Sequence, residues 1–288
     1  MCTTCGCSDS MRPTMTNIAT GQTIPLAAQE PSAHSHATSH DHGHSAHIHS
    51  QHQDQHRETK TIVLEQAILS KNDRLAERNR DWLAERHILA LNLVSSPGSG
   101  KTTLLEKTMT DLQQEFPFYV IEGDQATLHD AERLHGTGCA VVQINTGAGC
   151  HLDADMVARG LESLLPSAHS VVMIENVGNL VCPALFDLGE QARVVILSVT
   201  EGEDKPLKYP HMFQSAHLVL INKIDLLPYL SFDMDQCLRY VGMVKASAQV
   251  LQISAQTGEG LAAWYHWIQQ HRLTRPDRKG LSCSVFLD

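Results

Sequence analysis

From residue 87 onward, short apolar runs alternate with longer amphipathic stretches. The runs cover 87–95, 118–122, 139–145, 170–175, 192–199, 217–222 and 249–254. Most are rich in Val and Ile and are continuously apolar rather than alternating, the pattern of strands buried on both faces of a parallel sheet. The stretches 101–115, 127–135, 152–165, 205–214, 233–243 and 258–271 read as helices. Strand-then-helix repetition predicts one doubly wound, mostly parallel α/β domain over 87–288, with ligands at the carboxyl ends of its strands.

The chain before residue 87 follows different patterns. Residues 58–86 place Ile62, Leu69, Leu75 and Leu83 among charged side chains with no Gly or Pro, which predicts a leading helix packed on the domain. Residues 1–57 have no Phe, Tyr or Trp and few large apolar residues. They cannot offset an ordering cost of about 1–2 kcal/mol per residue, so a disordered arm is expected there.

Composition changes this picture in two ways. The formal net charge is −10, from 22 Lys and Arg against 32 Asp and Glu, with no basic run. Phosphate-backbone binding needs clustered positive charge, so nucleic acid is excluded as a partner. No apolar segment reaches the roughly 18 residues of a membrane span, and the N-terminus lacks the basic-then-apolar layout of a secretory signal. A cytoplasmic protein is expected, and in that reducing compartment its 8 cysteines read as thiols, some of them metal ligands. The 18 histidines are the second change. His34, His36, His40, His42, His44, His47, His49, His52 and His56 all fall in the arm, and their spacing on a flexible chain suits several weak imidazole sites for Ni²⁺, Zn²⁺ or Cu²⁺.

The first run of the domain leads straight into Ser95-Ser96-Pro97-Gly98-Ser99-Gly100-Lys101-Thr102-Thr103 and then a helical pattern. This is a P-loop. Its glycines let backbone N–H groups curl around phosphate oxygens, Lys101 neutralises the β- and γ-phosphates, and the Thr102 hydroxyl reaches Mg²⁺. Ser95 stands where the motif's first Gly is usual. Asn222-Lys223-Ile224-Asp225, after the sixth run, fits N-K-x-D: the Asp225 carboxylate can accept from guanine N1–H and N2–H₂, a donor pair adenine lacks. Ser254-Ala255, after the last run, resembles the element that backs the guanine O6. GTP and GDP are therefore expected over adenine nucleotides. Asp124 and Glu175, at the ends of the second and fourth runs, stand where Mg²⁺ and water-orienting carboxylates belong, with Asp130 a competitor to Asp124. No arginine finger is evident. The acidic stretch Glu201-Gly202-Glu203-Asp204 reads as a solvated loop.

Two sets of soft ligands remain. Cys2, Cys5 and Cys7 lie in the arm, where packing cannot explain them; three thiolates, with the terminal amine as an available fourth donor, suit Ni²⁺ or Zn²⁺. Inside the domain, Cys150-His151 ends a Gly-rich loop after the third run, and Cys182 lies just beyond Glu175. A doubly wound sheet makes these loops neighbours. One chain then offers three ligands, leaving a site open or shared across a dimer axis. Cys139, Cys237 and Cys283 read as structural.

These segments, together with Ser198-Val199-Thr200-Glu201-Gly202-Glu203-Asp204-Lys205-Pro206, resemble the HypB family of hydrogenase nickel-incorporation GTPases over nearly the whole chain. The resemblance implies a nickel-delivery GTPase that dimerises around nucleotide, related to the urease GTPase chaperone, with a small zinc-containing accessory protein (HypA) as partner and the [NiFe]-hydrogenase large subunit as destination; with no arginine finger evident, slow turnover is expected. It also implies a tight nickel site at Cys2, Cys5 and Cys7 and a weaker nickel or zinc site at Cys150, His151 and Cys182. Carrying both the cysteine trio and the histidines suggests delivery and storage in one chain. A nickel store with a vestigial GTPase is the alternative function the same residues allow.

Overall fold

The computed structural model describes residues 13–26, 51–125 and 127–273, with side chains from Gln66 onward in the first helix. The strands are β1 (Thr14–Asn17), β2 (Gln22–Pro25), β3 (Leu89–Ser95), β4 (Phe118–Asp124), β5 (Ala140–Asn145), β6 (Val171–Glu175), β7 (Ala192–Ser198), β8 (Leu218–Asn222) and β9 (Gln249–Gln252). They form one sheet in the order β2-β1-β5-β4-β6-β3-β7-β8-β9. From β5 to β9 every pairing is parallel. The helices are α1 (Gln51–Glu85), α2 (Lys101–Leu112), α3 (His129–His135), α4 (Ala154–Leu164), α5 (Lys205–Lys208), α6 (Pro210–Ser215), α7 (Met234–Val244) and α8 (Leu261–Leu273).

The continuous apolarity of the strands has its cause in helices on both faces. Leu89, Leu91 and Leu93 of β3 share a core with Leu105 and Met109 of α2, Leu134 of α3 and Trp264 of α8. Ala90, one residue out of phase, packs with Leu83 of α1 and Val157 and Leu161 of α4. All seven residues of β3 are buried, so no polar-out alternation is possible. β3 lies between β6 and β7, and the connections leave it toward both sides of the sheet. The loops after β3, β4, β6 and β8 therefore meet at one carboxyl edge.

Three expectations need correction. Residues 13–26, expected to be part of a disordered arm, form an antiparallel hairpin that pairs β1 with β5 in the register Met15↔Ile144. Met15 and Leu26 are buried against the α1/α4 core, and the Thr16 and Thr23 hydroxyls meet at 2.9 Å on the outer face. A hairpin is marginal alone, but an existing sheet edge supplies the missing ladder, and composition averaged over 57 residues conceals two four-residue strands. The leading helix begins at Gln51 rather than 58 and takes His52 and His56 with it. Glu201 is no solvated acid: its Oε1 accepts the Ser198 N–H at 3.0 Å, completing a capping box on a 3-10 turn at Val199–Glu201, and its Oε2 is buried. In addition, Pro210 divides the helix expected over 205–214 into α5 and α6.

Candidate nucleotide and metal sites

Between β3 and α2 the chain turns through Gly98 (φ 74°) and Gly100 (φ 96°). A Cβ on Gly100 would lie 2.6 Å from Asn222 Nδ2, so only Gly fits where the two motifs meet. Asn222 Nδ2 donates to the Ser99 carbonyl at 2.8 Å, and Lys223 Nζ to the Gly98 carbonyl at 2.7 Å. Asn222 Oδ1 accepts the Ala255 N–H at 3.0 Å, while Ser254 Oγ donates to Asp225 Oδ1 at 2.5 Å. The segments read separately as phosphate and base motifs thus fasten one another. Lys101 Nζ donates to Ser95 Oγ at 2.9 Å: the residue that departs from the usual P-loop pattern holds its lysine.

A pocket of about 400 Å³ opens above this turn, lined by Gly98, Lys101, Thr102, Thr103, Asp124, Asp130 and Glu175. Thr102 Oγ1 donates to Glu175 Oε1 at 2.9 Å, and Glu175 Oε2 is buried without a hydrogen-bond partner. Asp124 Oδ2 accepts from the N–H and hydroxyl of Thr127 at 2.9 and 3.0 Å. Asp130 pairs with Arg133 at 3.2 Å. Both acids line the pocket, so the geometry leaves both in contention. A larger groove of about 830 Å³, between the hairpin, α1 and α4, is lined by Trp82, Arg78 and Glu162 and contains none of the motif residues.

Two residues that sequence reasoning passed over also line the pocket. Glu122 is buried near Glu175 and Asp124; burial first, then those like charges, push its carboxyl up to about 9. Burial likewise pushes Glu175 up to about 7 against the opposing pull of Lys101. These acidic protons resist leaving because the pocket gathers carboxylates with little solvent. An acid inside the apolar run 118–122 was the available signal for Glu122. Arg133 bridges Glu106 at 2.5 Å and Asp130. It stands three residues after Asp130 on α3, which only the folded helix brings to the pocket.

The inner thiol set does assemble. The ligand atoms of Cys150, His151 and Cys182 all lie within 4.8 Å of one another. Cys150 Sγ is 2.8 Å from Cys182 Sγ and 3.8 Å from His151 Nδ1. Donors around a tetrahedral ion with Zn–S bonds near 2.3 Å stand roughly 3.5–3.8 Å apart, so the imidazole spacing suits a metal and the thiols must separate by about 1 Å. Burial drives the His151 imidazole down to about 4, which keeps it neutral and able to ligate. Its ring stacks on Phe186 at 3.9 Å. Cys139 and Cys237 are buried, and burial raises both thiols.

Helix α1 holds these loops. From α1, Asn72 accepts the Ala154 N–H at 2.9 Å and donates to the Asp187 carbonyl at 2.8 Å. Asn79 donates to the Ala154 and Leu188 carbonyls at 2.8 and 3.0 Å. A Cβ on Gly189 (φ 89°) would meet the Ala76 carbonyl at 2.5 Å, so the loop after Cys182 lies directly on the helix backbone. Cys2, Cys5, Cys7, Cys283 and His34, His36, His40, His42, His44, His47 and His49 lie outside the described residues; His52 and His56 are described only as positions on α1.

Residues 89–252 match the family model described as CobW/HypB/UreG, nucleotide-binding domain. The chain is 54% identical over 213 residues to the hydrogenase maturation factor HypB of Escherichia coli (strain K12), covering 74% of this chain and 73% of that one. It is 46% identical over 293 aligned positions to the HypB of Azotobacter vinelandii, covering 96% and 94%. Among solved structures, HypB from Archaeoglobus fulgidus superposes with a TM-score of 0.67 at 36% identity, covering 70% of this chain and 99% of that one. HypB from Helicobacter pylori in complex with nickel gives 0.66 at 38% identity, covering 70% and 95%. Among the described residues no helix is long and apolar enough to cross a membrane.

Proposed function

The chain belongs to the HypB family of hydrogenase maturation factors within the CobW/HypB/UreG nucleotide-binding group, and from that membership we propose that it is a GTP-hydrolysing nickel metallochaperone serving [NiFe]-hydrogenase. The observation that carries this reading is the pairing of two chemistries on one segment. Glu175 lines the nucleotide pocket, and Cys182, seven residues later, meets Cys150 and His151. The nickel complex of the Helicobacter pylori relative supports Ni²⁺ as cargo.

In this reading Gly98, Ser99, Gly100, Lys101, Thr102 and Thr103 cradle the phosphates, while Asn222, Lys223, Asp225, Ser254 and Ala255 select guanine. Thr102, Asp124 and Glu175 fit Mg²⁺: they are hard oxygen donors at one pocket, and Glu175 Oε2 is a buried acceptor with no hydrogen-bond donor of its own. Bound there, the ion offsets charge on the phosphoryl group in flight. Turnover is slow, because Arg133 is held by Glu106 and Asp130 instead of reaching for phosphate. The Cys150, His151 and Cys182 set takes Ni²⁺ or Zn²⁺. With three donors per chain, a GTP-dependent homodimer completes it, and the exposed Val181 and Leu185 on either side of Cys182 offer apolar surface for the second copy. Cys2, Cys5 and Cys7 form the tighter nickel site, and the histidines from His34 to His56 store the metal. A HypA-like zinc protein and the hydrogenase large subunit are the partners.

The nucleotide state then alters nickel affinity, and by linkage nickel alters nucleotide affinity by the same factor. Nickel affinity of a Cys150→Ala/Cys182→Ala variant, measured with a GTP analogue and with GDP, tests this. The variant is expected to lose the nucleotide dependence; equal dependence in variant and parent would sink the coupling.

A further inference from the structure

Asn92 interrupts the apolar run of β3, and it is fully buried. A buried amide costs stability unless its groups are hydrogen-bonded. Asn92 Oδ1 accepts from Asn176 Nδ2 at 3.2 Å, and Asn92 Nδ2 donates to Glu190 Oε1 at 3.1 Å. Glu190 is itself buried against Arg193, whose Nε and Nη2 donate to Glu190 Oε1 at 3.1 and 2.9 Å. Buried ion pairs contribute little net stability over well-packed apolar side chains, so what this pair holds is the informative part.

It holds the loop after Cys182. Glu190 Oε2 accepts the Leu188 N–H at 2.8 Å, and Arg193 donates to the Ala184 and Phe186 carbonyls at 3.2 and 2.8 Å. Phe186 in turn stacks on His151. At the other end, Asn176 Oδ1 accepts the Leu152 N–H at 3.2 Å, directly after His151, and the Val177 N–H at 3.0 Å. Asn176 is the next residue after Glu175 and lines the nucleotide pocket.

We propose that Asn92 is a positioning residue that transmits the state of the nucleotide pocket to both metal-bearing loops, through Asn176 on one side and the Glu190–Arg193 pair on the other. The inference rests on the nickel-and-GTP reading above. Asn92 touches neither the pocket nor the thiols, so it acts only through its partners. Any displacement of Glu175 carries the adjoining Asn176, and a planar amide hydrogen-bonded at both ends cannot shift without pulling on Leu152 and on Asn92. One set of hydrogen bonds thereby gives both sites a hold on the same buried arrangement, which is the physical requirement for coupling.

The test uses the full chain with Cys2→Ser, Cys5→Ser and Cys7→Ser in every protein, so that near-ultraviolet thiolate-to-nickel absorbance reports the inner site. Nickel affinity is titrated with a non-hydrolysable GTP analogue and with GDP. The parent is expected to differ between the two by at least about fivefold. In Asn92→Ala the ratio falls to within about twofold of one while nucleotide affinity is retained. Should that variant fail to fold, Asn92→Ser, whose side chain is too short to span both partners, is read in the same way. Asn79→Ala loosens the same loops from α1 without entering the relay; it weakens nickel equally in both nucleotide states and keeps the ratio. An unchanged ratio in a folded Asn92 variant overturns the relay alone. Loss of the ratio in Asn79→Ala as well overturns it as a specific path, and a parent ratio of one overturns both the relay and the coupling it rests on.

Discussion

The nucleotide pocket and the thiol cluster occupy the same edge of the sheet, yet they are held in different ways. In the pocket the motif residues hold each other: Lys101 on Ser95, Thr102 on Glu175, Asn222 and Lys223 on the P-loop carbonyls, and Ser254 on Asp225. All of these sit at or just beyond strand ends. The thiols lie in loops and are fastened by residues from elsewhere: Asn72 and Asn79 from α1, Asn176 after β6, and the Glu190–Arg193 pair. A site braced by its own motif is organised before any ligand arrives. One suspended from distant side chains moves when they move.

The sharpest way to break this comparison is Lys101→Ala. Removing one preorganised charge at a transferring group typically costs about 10²–10³ in turnover, and GTP hydrolysis measured by phosphate release is expected to fall by that much. Nickel affinity of the inner site without nucleotide should stay within about twofold, because Lys101 is held by Ser95, whereas the loops of Cys150 and Cys182 are braced by Asn72, Asn79, Asn176 and the Glu190–Arg193 pair. If nickel binding fell in parallel, the two sites would share a scaffold that the hydrogen bonds do not reveal.

A smaller effect is expected at the thiol cluster. Asn79→Ala leaves two buried carbonyls, Ala154 and Leu188, without their donor. Supporting residues of metal sites typically contribute 10–100-fold in affinity, so a loss of about tenfold for nickel is expected, read from the thiolate absorbance in the chain carrying Cys2→Ser, Cys5→Ser and Cys7→Ser, with GTP affinity unchanged. A loss in GTP affinity of the same size would mean that α1 braces the pocket as well.

The same difference decides what was legible in the sequence. The P-loop and N-K-x-D stand out because backbone turns at strand ends demand particular residues in a fixed order, Gly100 against Asn222 being the clearest case. The buried strands stand out because helices on both faces leave few polar positions, Asn92 and Glu122 among them. The thiols could be named, and adjacent loops in a doubly wound sheet bring them together. Their supports could not be named, since Asn72, Asn79 and Asn92 are ordinary polar residues whose partners lie 75–115 positions away. The hairpin at residues 13–26 was hidden for a related reason: its stability comes from pairing with β5, over a hundred positions further on.

The smallest effect, and the one that tells the two regions apart by sign, is on stability against pH. Glu122 has a folded value of about 9 against 4.5 for an ordinary glutamate. As pH rises from about 4.5 to about 9, the unfolded chain releases this proton while the folded one keeps it, so the fold loses stability across that window. His151 acts oppositely: its folded value of about 4 lies below 6.5, and the unfolded chain takes up a proton first as pH falls through that interval, so the fold weakens toward acid. Glu122→Gln keeps the shape and removes the ionisation. In the nucleotide-free, metal-free chain its melting midpoint at pH 8 is expected to rise by about 3 °C or more, given about 2–4 °C per kcal/mol for a domain of this size. Glu175, raised to about 7, should leave a residual alkaline decline that ends near neutrality, while the acid side attributed to His151 stays as in the parent. An unchanged midpoint at pH 8 would mean that Glu122 is ionised at no cost in the folded pocket. Its carboxylates would then be accommodated without strain, and only the way each site is fastened would separate the pocket from the thiol cluster.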